Sequence, residues 1–179
     1  MQSKNELDAF YNEADPWNYD GTPDDLARIE RLLFELPART YERVLDIGCG
    51  NGFVTEKLPG QQITGCDISD RAVDWARRRV SVRDDAHRFE FVQASIFDIA
   101  HRFTGPFDLI VITGVLYPQY IGRGFSVVRE AVDALLRPGG VVASVHIDDW
   151  CNRRFPYTML SCDLSPYRQY MHRIEVFLK

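Results

Sequence analysis

The sequence has little of what would tie it to nucleic acid, a membrane, a metal or an oxidising compartment. Its 179 residues carry 21 Lys and Arg against 26 Asp and Glu, a formal net charge of −5. A grip on phosphate backbones needs a positive field, so the charge balance argues against that class. The one basic cluster, Arg77-Arg78-Arg79, is followed by Asp84 and Asp85 and reads as a solvated helix face. No apolar run approaches the roughly 20 residues that span a bilayer. Met1 to Phe10 carries charges where a signal peptide has its apolar core. Cys49, Cys66, Cys151 and Cys162 are spaced for neither a zinc ribbon nor a CxxC pair. Reduced, packed thiols in a cytoplasmic chain are the expectation, with Cys49 and Cys66 inert. Internal repeats, low-complexity tracts and a second-domain boundary are missing too.

What is present is an alternation of two patterns. Short β-branched runs stop at glycine or aspartate, as in Val44-Leu45-Asp46-Ile47 and Phe107-Asp108-Leu109-Ile110-Val111-Ile112. These read as buried parallel strands, joined by Ile63 to Ile68, Phe89 to Ala94 and Val141 to Ile147. Between them lie apolar positions at helical spacing. Ser69 caps Ala72, Val73, Ala76 and Val80, while Val128, Ala131, Val132, Leu135 and Leu136 run up to Pro138-Gly139-Gly140. A further helix is expected from Phe53 onward, and another through Leu26, Ile29, Leu32, Leu33 and Leu36. Strands alternating with helices predict a single α/β domain, a doubly wound, mostly parallel sheet with flanking helices. Residues 1–25, rich in turn formers and carrying Trp17 and Tyr19, are expected to form a lid over a domain of residues 26–179. Asp148 to Lys179 supplies a short helix and two more strands.

Gly48, Gly50 and Gly52 follow the first strand directly. Glycines there let the chain turn sharply and let a ligand approach bare main chain. The spacing is GxGxG, one residue tighter than the dinucleotide fingerprint, and Asp46 precedes it. A carboxylate beside the loop disfavours a pyrophosphate and favours a ligand with an ammonium and a sulfonium. An NAD-dependent oxidoreductase is thereby disfavoured. Asp67 closes the next strand, where an acid can accept hydrogen bonds from both hydroxyls of a ribose.

These residues resemble a known family. Asp46-Ile47-Gly48-Cys49-Gly50-Asn51-Gly52 is similar to the first motif of class I S-adenosylmethionine-dependent methyltransferases. Gly65-Cys66-Asp67-Ile68-Ser69 resembles their ribose-binding acid. Phe107 to Val111 resembles their fourth strand, and Leu135-Leu136-Arg137-Pro138-Gly139-Gly140 the turn before the fifth. The resemblance covers roughly residues 40–147. It implies a Rossmann-like fold with S-adenosyl-L-methionine as cofactor. Asp46, Gly48 and Gly50 would hold the methionine moiety, with Cys49 and Thr113 completing the set. Asp67 would hold the ribose, Ile68 would pack on the adenine, and Ser95 and Ile96 would meet its edge. Ser95 stands where the family often carries Asp; its hydroxyl accepts more weakly, and the Ile96 amide can donate to a ring nitrogen.

Four features resemble the nodulation-factor (sugar) N-methyltransferase group: Asp15-Pro16-Trp17, Phe53 to Leu58, Val115-Leu116-Tyr117 and overall brevity. That likeness implies a small acceptor, an O or N atom of a sugar or sugar-containing metabolite. It also places Tyr11, Trp17, Tyr19 and Arg28 in a lid and carboxylate clamp. The segment after the fourth strand lacks the Asn/Asp-Pro-Pro-aromatic tetrad of enzymes that methylate nucleic-acid amino groups. The acidic balance and missing docking domain disfavour a protein or RNA acceptor. A sulfonium donor is already activated, so the protein mainly aligns the acceptor with the methyl group. A hydroxyl acceptor gains from a general base, for which His146 and Asp148 are the candidates, with Tyr117 orienting the acceptor. His146-x-Asp148-Asp149 supplies no full metal-ligand set, so none is expected. The competing reading is a non-catalytic S-adenosylmethionine-binding module or partner of an active methyltransferase. Monomer and homodimer both remain open.

Overall fold

The β-branched runs are strands in the computed structural model, which describes residues 2–179. β1 (Arg43–Ile47), β2 (Gln62–Asp67), β3 (Phe89–Gln93), β4 (Phe107–Thr113) and β5 (Leu136–Ile147) are followed by a hairpin of β6 (Thr158–Tyr167) and β7 (Tyr170–Leu178). They form one sheet in the order β3-β2-β1-β4-β5-β7-β6. The first five strands pair in parallel, and β7 runs antiparallel to β5 and β6. The chain winds outward from β1 to β3, then returns to β4. That reversal opens a crevice at the carboxyl ends of β1 and β4.

The helices are α1 (Lys4–Phe10), α2 (Pro23–Glu35), α3 (Asp70–Val80), α4 (Ile99–Arg102), α5 (Pro118–Ile121) and α6 (Phe125–Leu135). Alternation along the strands divides the core between the two faces. Leu45, Ile110, Ile112 and Val142 pack with Val128 and Val132 of α6. Val44, Leu109, Val111 and Ala143 pack with Ile29 and Leu32 of α2. The Ser69 cap is present, its hydroxyl accepting from the Ala72 amide at 3.2 Å. Ala72, Val73, Ala76 and Val80 are the buried stripe of α3.

Two expectations are corrected. The helix from Phe53 is only a 3-10 turn, Thr55–Lys57. Gly52 (φ +82°) and Pro59 bracket too few residues for more, and the Gly52 backbone presses on α3, where a Cβ would lie 3.1 Å from the Ala76 Cβ. Phe53, Val54 and Leu58 are buried all the same. After β5, the expected short helix is present as a 3-10 helix, Asp148–Trp150, ahead of the two expected strands. At the other end, the boundary after residue 25 falls inside α2, because Pro23 starts that helix. The segment before it is not all loop: Ser3 and Glu6 form a capping box for α1. Met1, the first residue of the expected lid, lies outside the described residues. Among the described residues no helix is long and apolar enough to cross a membrane.

Candidate active site

The carboxyl ends of β1 to β4 open onto a cavity of about 270 Å³. Each strand end contributes to its floor: Ile47 and Gly48 after β1, Asp67 and Ile68, Ser95 and Ile96, then Thr113 and Gly114. Leu7, Tyr11, Trp17 and Tyr19 reach over it from the N-terminal segment. Sequence reasoning thus placed nine cavity residues: Tyr11, Trp17, Tyr19, Gly48, Asp67, Ile68, Ser95, Ile96 and Thr113. It missed Gln2, Leu7, Phe97 and Tyr120, and gave Ile47, Ala94, Gly114 and Val115 no role of their own. Leu7 left a signal, an apolar side chain three residues before Phe10 on a short charged helix.

The glycine loop fits around this floor closely. Gly48 has φ +76°, and a Cβ there would lie 2.3 Å from the Val115 Cγ1, so only glycine lets the β1 and β4 exits touch. The Gly50 amide donates to Asp67 Oδ2 at 3.0 Å and the Ser69 amide to Oδ1 at 2.9 Å. Those bonds orient the Asp67 carboxylate at the cavity wall. Burial nevertheless raises its pKa. Asp46 lies fully buried beneath the loop, Oδ2 accepting from the Thr55 hydroxyl at 2.6 Å. Its Oδ1 has no partner. Burial pushes this carboxyl up to about 7, against the Thr55 hydrogen bond and with the nearby Asp67 charge. A buried, unpartnered carboxyl oxygen is costly unless something cationic meets it.

The expectation that His146 and Asp148 project into the crevice is corrected. The His146 ring is buried, with Nε2 accepting from the Leu116 amide at 3.1 Å and Nδ1 3.0 Å from the Ser144 hydroxyl. Nδ1 therefore carries the proton and donates it to Ser144. Burial, then the neighbouring His172, Arg173 and Arg28, hold its pKa down to about 3. Asp148 is bound by the Arg173 guanidinium. Tyr117 also stands outside the cavity wall: its hydroxyl accepts from the Ile147 amide at 2.8 Å, and burial raises its pKa. These groups bolt the β4 exit to the β5 end. A pH–rate profile should therefore show no limb from His146. Replacing His146 by Ala should cost about 1–3 kcal/mol for the orphaned Leu116 amide, read as a fall in unfolding free energy. A limb near pH 6 that vanishes in His146→Gln would restore the general-base role.

Two members of the expected cofactor set stand behind the wall. Cys49 packs with Val73 and Phe91, and burial drives its thiol and that of Cys66 upward. Arg28 donates from Nε and Nη2 to Asp25 Oδ1 at 3.3 and 3.0 Å. Gly50 meets the lid rather than the cavity, since a Cβ there would lie 2.8 Å from the Tyr11 hydroxyl.

Polar contacts hold the N-terminal segment down. Ser69 donates to Asp8 at 2.5 Å, Trp75 Nε1 to the Tyr11 carbonyl at 3.2 Å, and Asn51 to the Ala14 carbonyl at 2.8 Å. Arg79 forks onto Asp20 at 2.5 and 3.0 Å. The basic cluster is therefore not all solvated: Arg79 folds inward as a latch. Among the described residues no three His, Cys, Asp or Glu side chains gather into a metal-binding group.

A parallel sheet with its ligand cavity at the β1/β4 reversal, a glycine loop and two strand-end acids defines a Rossmann-like domain. A family model described as a methyltransferase domain matches residues 39–173, and the chain belongs to that family. It is 36% identical to Nodulation protein S of Rhizobium tropici over 132 residues, 70% of this chain and 52% of the relative. To a ubiquinone biosynthesis O-methyltransferase of Aromatoleum aromaticum it is 33% identical over 103 residues, 56% of this chain and 42% of the relative. The chain spans about half the length of these curated relatives. The N-methyltransferase NodS of Bradyrhizobium japonicum WM9, solved with S-adenosyl-L-homocysteine, superposes with a TM-score of 0.79 at 24% identity, covering 98% of this chain and 97% of that one. Magnesium protoporphyrin IX methyltransferase of Synechocystis PCC 6803, with bound SAM, gives 0.72 at 15%, covering 100% and 98%. At such identities the likeness establishes the fold.

Proposed function

We propose that the chain is an S-adenosylmethionine-dependent methyltransferase acting on a small molecule. The observation that carries this is the pair of acids around the glycine loop, Asp67 in the cavity wall and Asp46 beneath it with a buried oxygen unpartnered. The donor supplies an electrophilic methyl on sulfur. Asp67 takes the ribose hydroxyls, Ile68 and Ile96 enclose the adenine, and Ser95 meets its edge. Gly48 and Thr113 flank the methionine chain, whose ammonium answers Asp46.

For the acceptor we favour a nitrogen of a sugar or related metabolite over a hydroxyl. Among the described residues, Asp67 is the one carboxylate of the wall and no histidine or lysine lines it. Burial holds the phenols of Tyr11 and Tyr19 protonated, Tyr19 with a pKa of about 12. A nucleophile that arrives neutral needs no base; an aliphatic alcohol does. The aromatic wall of Trp17, Tyr19 and Tyr120 offers flat apolar faces with polar edges, suited to a sugar ring. The net charge of −5 supports a small acceptor over nucleic acid; a cytoplasmic setting rests on sequence reasoning alone.

We also propose that residues up to Thr22 are a lid. The cavity of about 270 Å³ lies just below the usual ligand-pocket range of about 300–1,000 Å³, so a bound donor fills it and the acceptor enters only when the lid shifts. α1 buries no residue, which suits a detachable element. Hydrogen exchange in residues 3–22 should slow on adding S-adenosylhomocysteine; equal protection with and without it would remove the lid. The activity is tested by methyl transfer to amino sugars, hydroxylated sugars and small natural-product scaffolds with mass detection. Donor binding with no transfer to any of them would favour the non-catalytic module.

A further inference from the structure

The lid is held from two sides, and the second holder comes from the far edge of the sheet. Arg168 sits at the tip of the β6–β7 hairpin with φ +52°, in the left-handed region that long L side chains enter at a cost. Its side chain makes a fan of contacts. Nη2 donates to the Trp17 carbonyl at 3.0 Å, to Asp25 Oδ2 at 2.9 Å and to the Thr22 hydroxyl at 3.4 Å. The Arg168 amide donates to Asp24 Oδ2 at 3.1 Å.

The fan continues into the cavity wall along a second route. Asp25, fully buried, also accepts from the Tyr167 hydroxyl at 2.8 Å and from Arg28 at 3.0 Å. The Arg28 guanidinium in turn lies 5.6 Å from the centroid of the Tyr19 ring. Trp17 and Tyr19, reached by these two routes, are both cavity residues. Arg79 and Trp75 hold the same segment from α3, so the aromatic wall is stretched between two anchors.

We infer that Arg168 is a positioning residue for methyl transfer, setting the Trp17–Tyr19 wall against the donor and the incoming acceptor. This rests on the donor reading above. Arginine does this because all three oxygens are met by Nη2, which lies one bond farther along the side chain than a lysine ammonium and so beyond its reach. The competing role is mere neutralisation of buried Asp25, which a lysine would also provide.

The test is calorimetric binding of S-adenosylhomocysteine to wild type, Arg168→Lys, Arg168→Ala, Trp17→Ala and the Arg168→Ala/Trp17→Ala pair, with hydrogen exchange on the bound forms. Arg168→Ala should weaken binding about tenfold, the scale of one charge-assisted hydrogen bond. Arg168→Lys should weaken it about threefold or more, because it cannot rebuild the fan. In the Trp17→Ala background the Arg168 change should cost less than it does in wild type, since the Trp17 ring it sets is gone while the Tyr19 route remains. Residues 15–22 should exchange faster in both Arg168 variants while β1 to β5 do not. If Arg168→Ala does not fold, the lysine variant decides alone. Wild-type affinity and protection in Arg168→Lys, or independent additive losses in the pair, would overturn the inference. Wild type that fails to bind sinks the donor reading and this inference with it; wild-type binding with unchanged variants sinks this inference alone.

Discussion

Asp67→Ala is expected to weaken S-adenosylmethionine binding by about 1.5–3 kcal/mol, the scale of hydrogen bonds to a charged group. Two losses combine in that figure. The ribose hydroxyls lose their acceptor, and the Gly50 and Ser69 amides lose the carboxylate that orients the glycine loop. Asp67→Asn separates them. An asparagine keeps the shape and one acceptor oxygen but turns an NH₂ toward a donor. It should bind more weakly than wild type and melt closer to it than alanine does. Calorimetry with both variants checks this; unchanged affinity in Asp67→Ala would remove the ribose assignment.

Donor affinity is also expected to fall as pH drops below about 7, where Asp46 takes up a proton. The sign follows from linkage. A cationic ammonium binds the ionised carboxyl, so below its pKa each unit of pH costs about a factor of ten in affinity. Binding at pH 6 should accordingly release close to one proton, read by titration in buffers of different ionisation enthalpy. Without ligand the same raised pKa acts on stability. The contribution of Asp46 is fully present below pH 3.8, its ordinary value, and is lost as pH rises toward 7. The donor-induced rise in melting temperature should therefore grow between those limits. Asp46→Asn should flatten both profiles, and an affinity independent of pH in wild type would show that Asp46 does not meet the ammonium.

The strands were legible because β-branched runs ending in glycine or aspartate have few alternatives in an α/β chain. The cavity residues at the strand ends followed, since strand ends are where backbone turns and acids gather. The acceptor half was not legible. Whether His146 points to the crevice or the core depends on strand phase, and both faces of a covered parallel sheet are apolar, so period two gives no sign. The short first crossover was readable in principle from Pro59-Gly60. Arg168 left no local signal at all, because its partners lie more than 140 positions away.

α1 buries no residue, and the floor of the cavity belongs to the strand ends. The segment that roofs the cavity is therefore an exchangeable part. A foreign stretch in place of residues 2–22 keeps the sheet and both acids, provided that it retains partners for Arg79 and Arg168. Substrate preference can thus be grafted, or drift in lineages, through about a score of residues, among which Tyr11 is buried and Tyr19 stacks on Phe53, so those two places must stay filled.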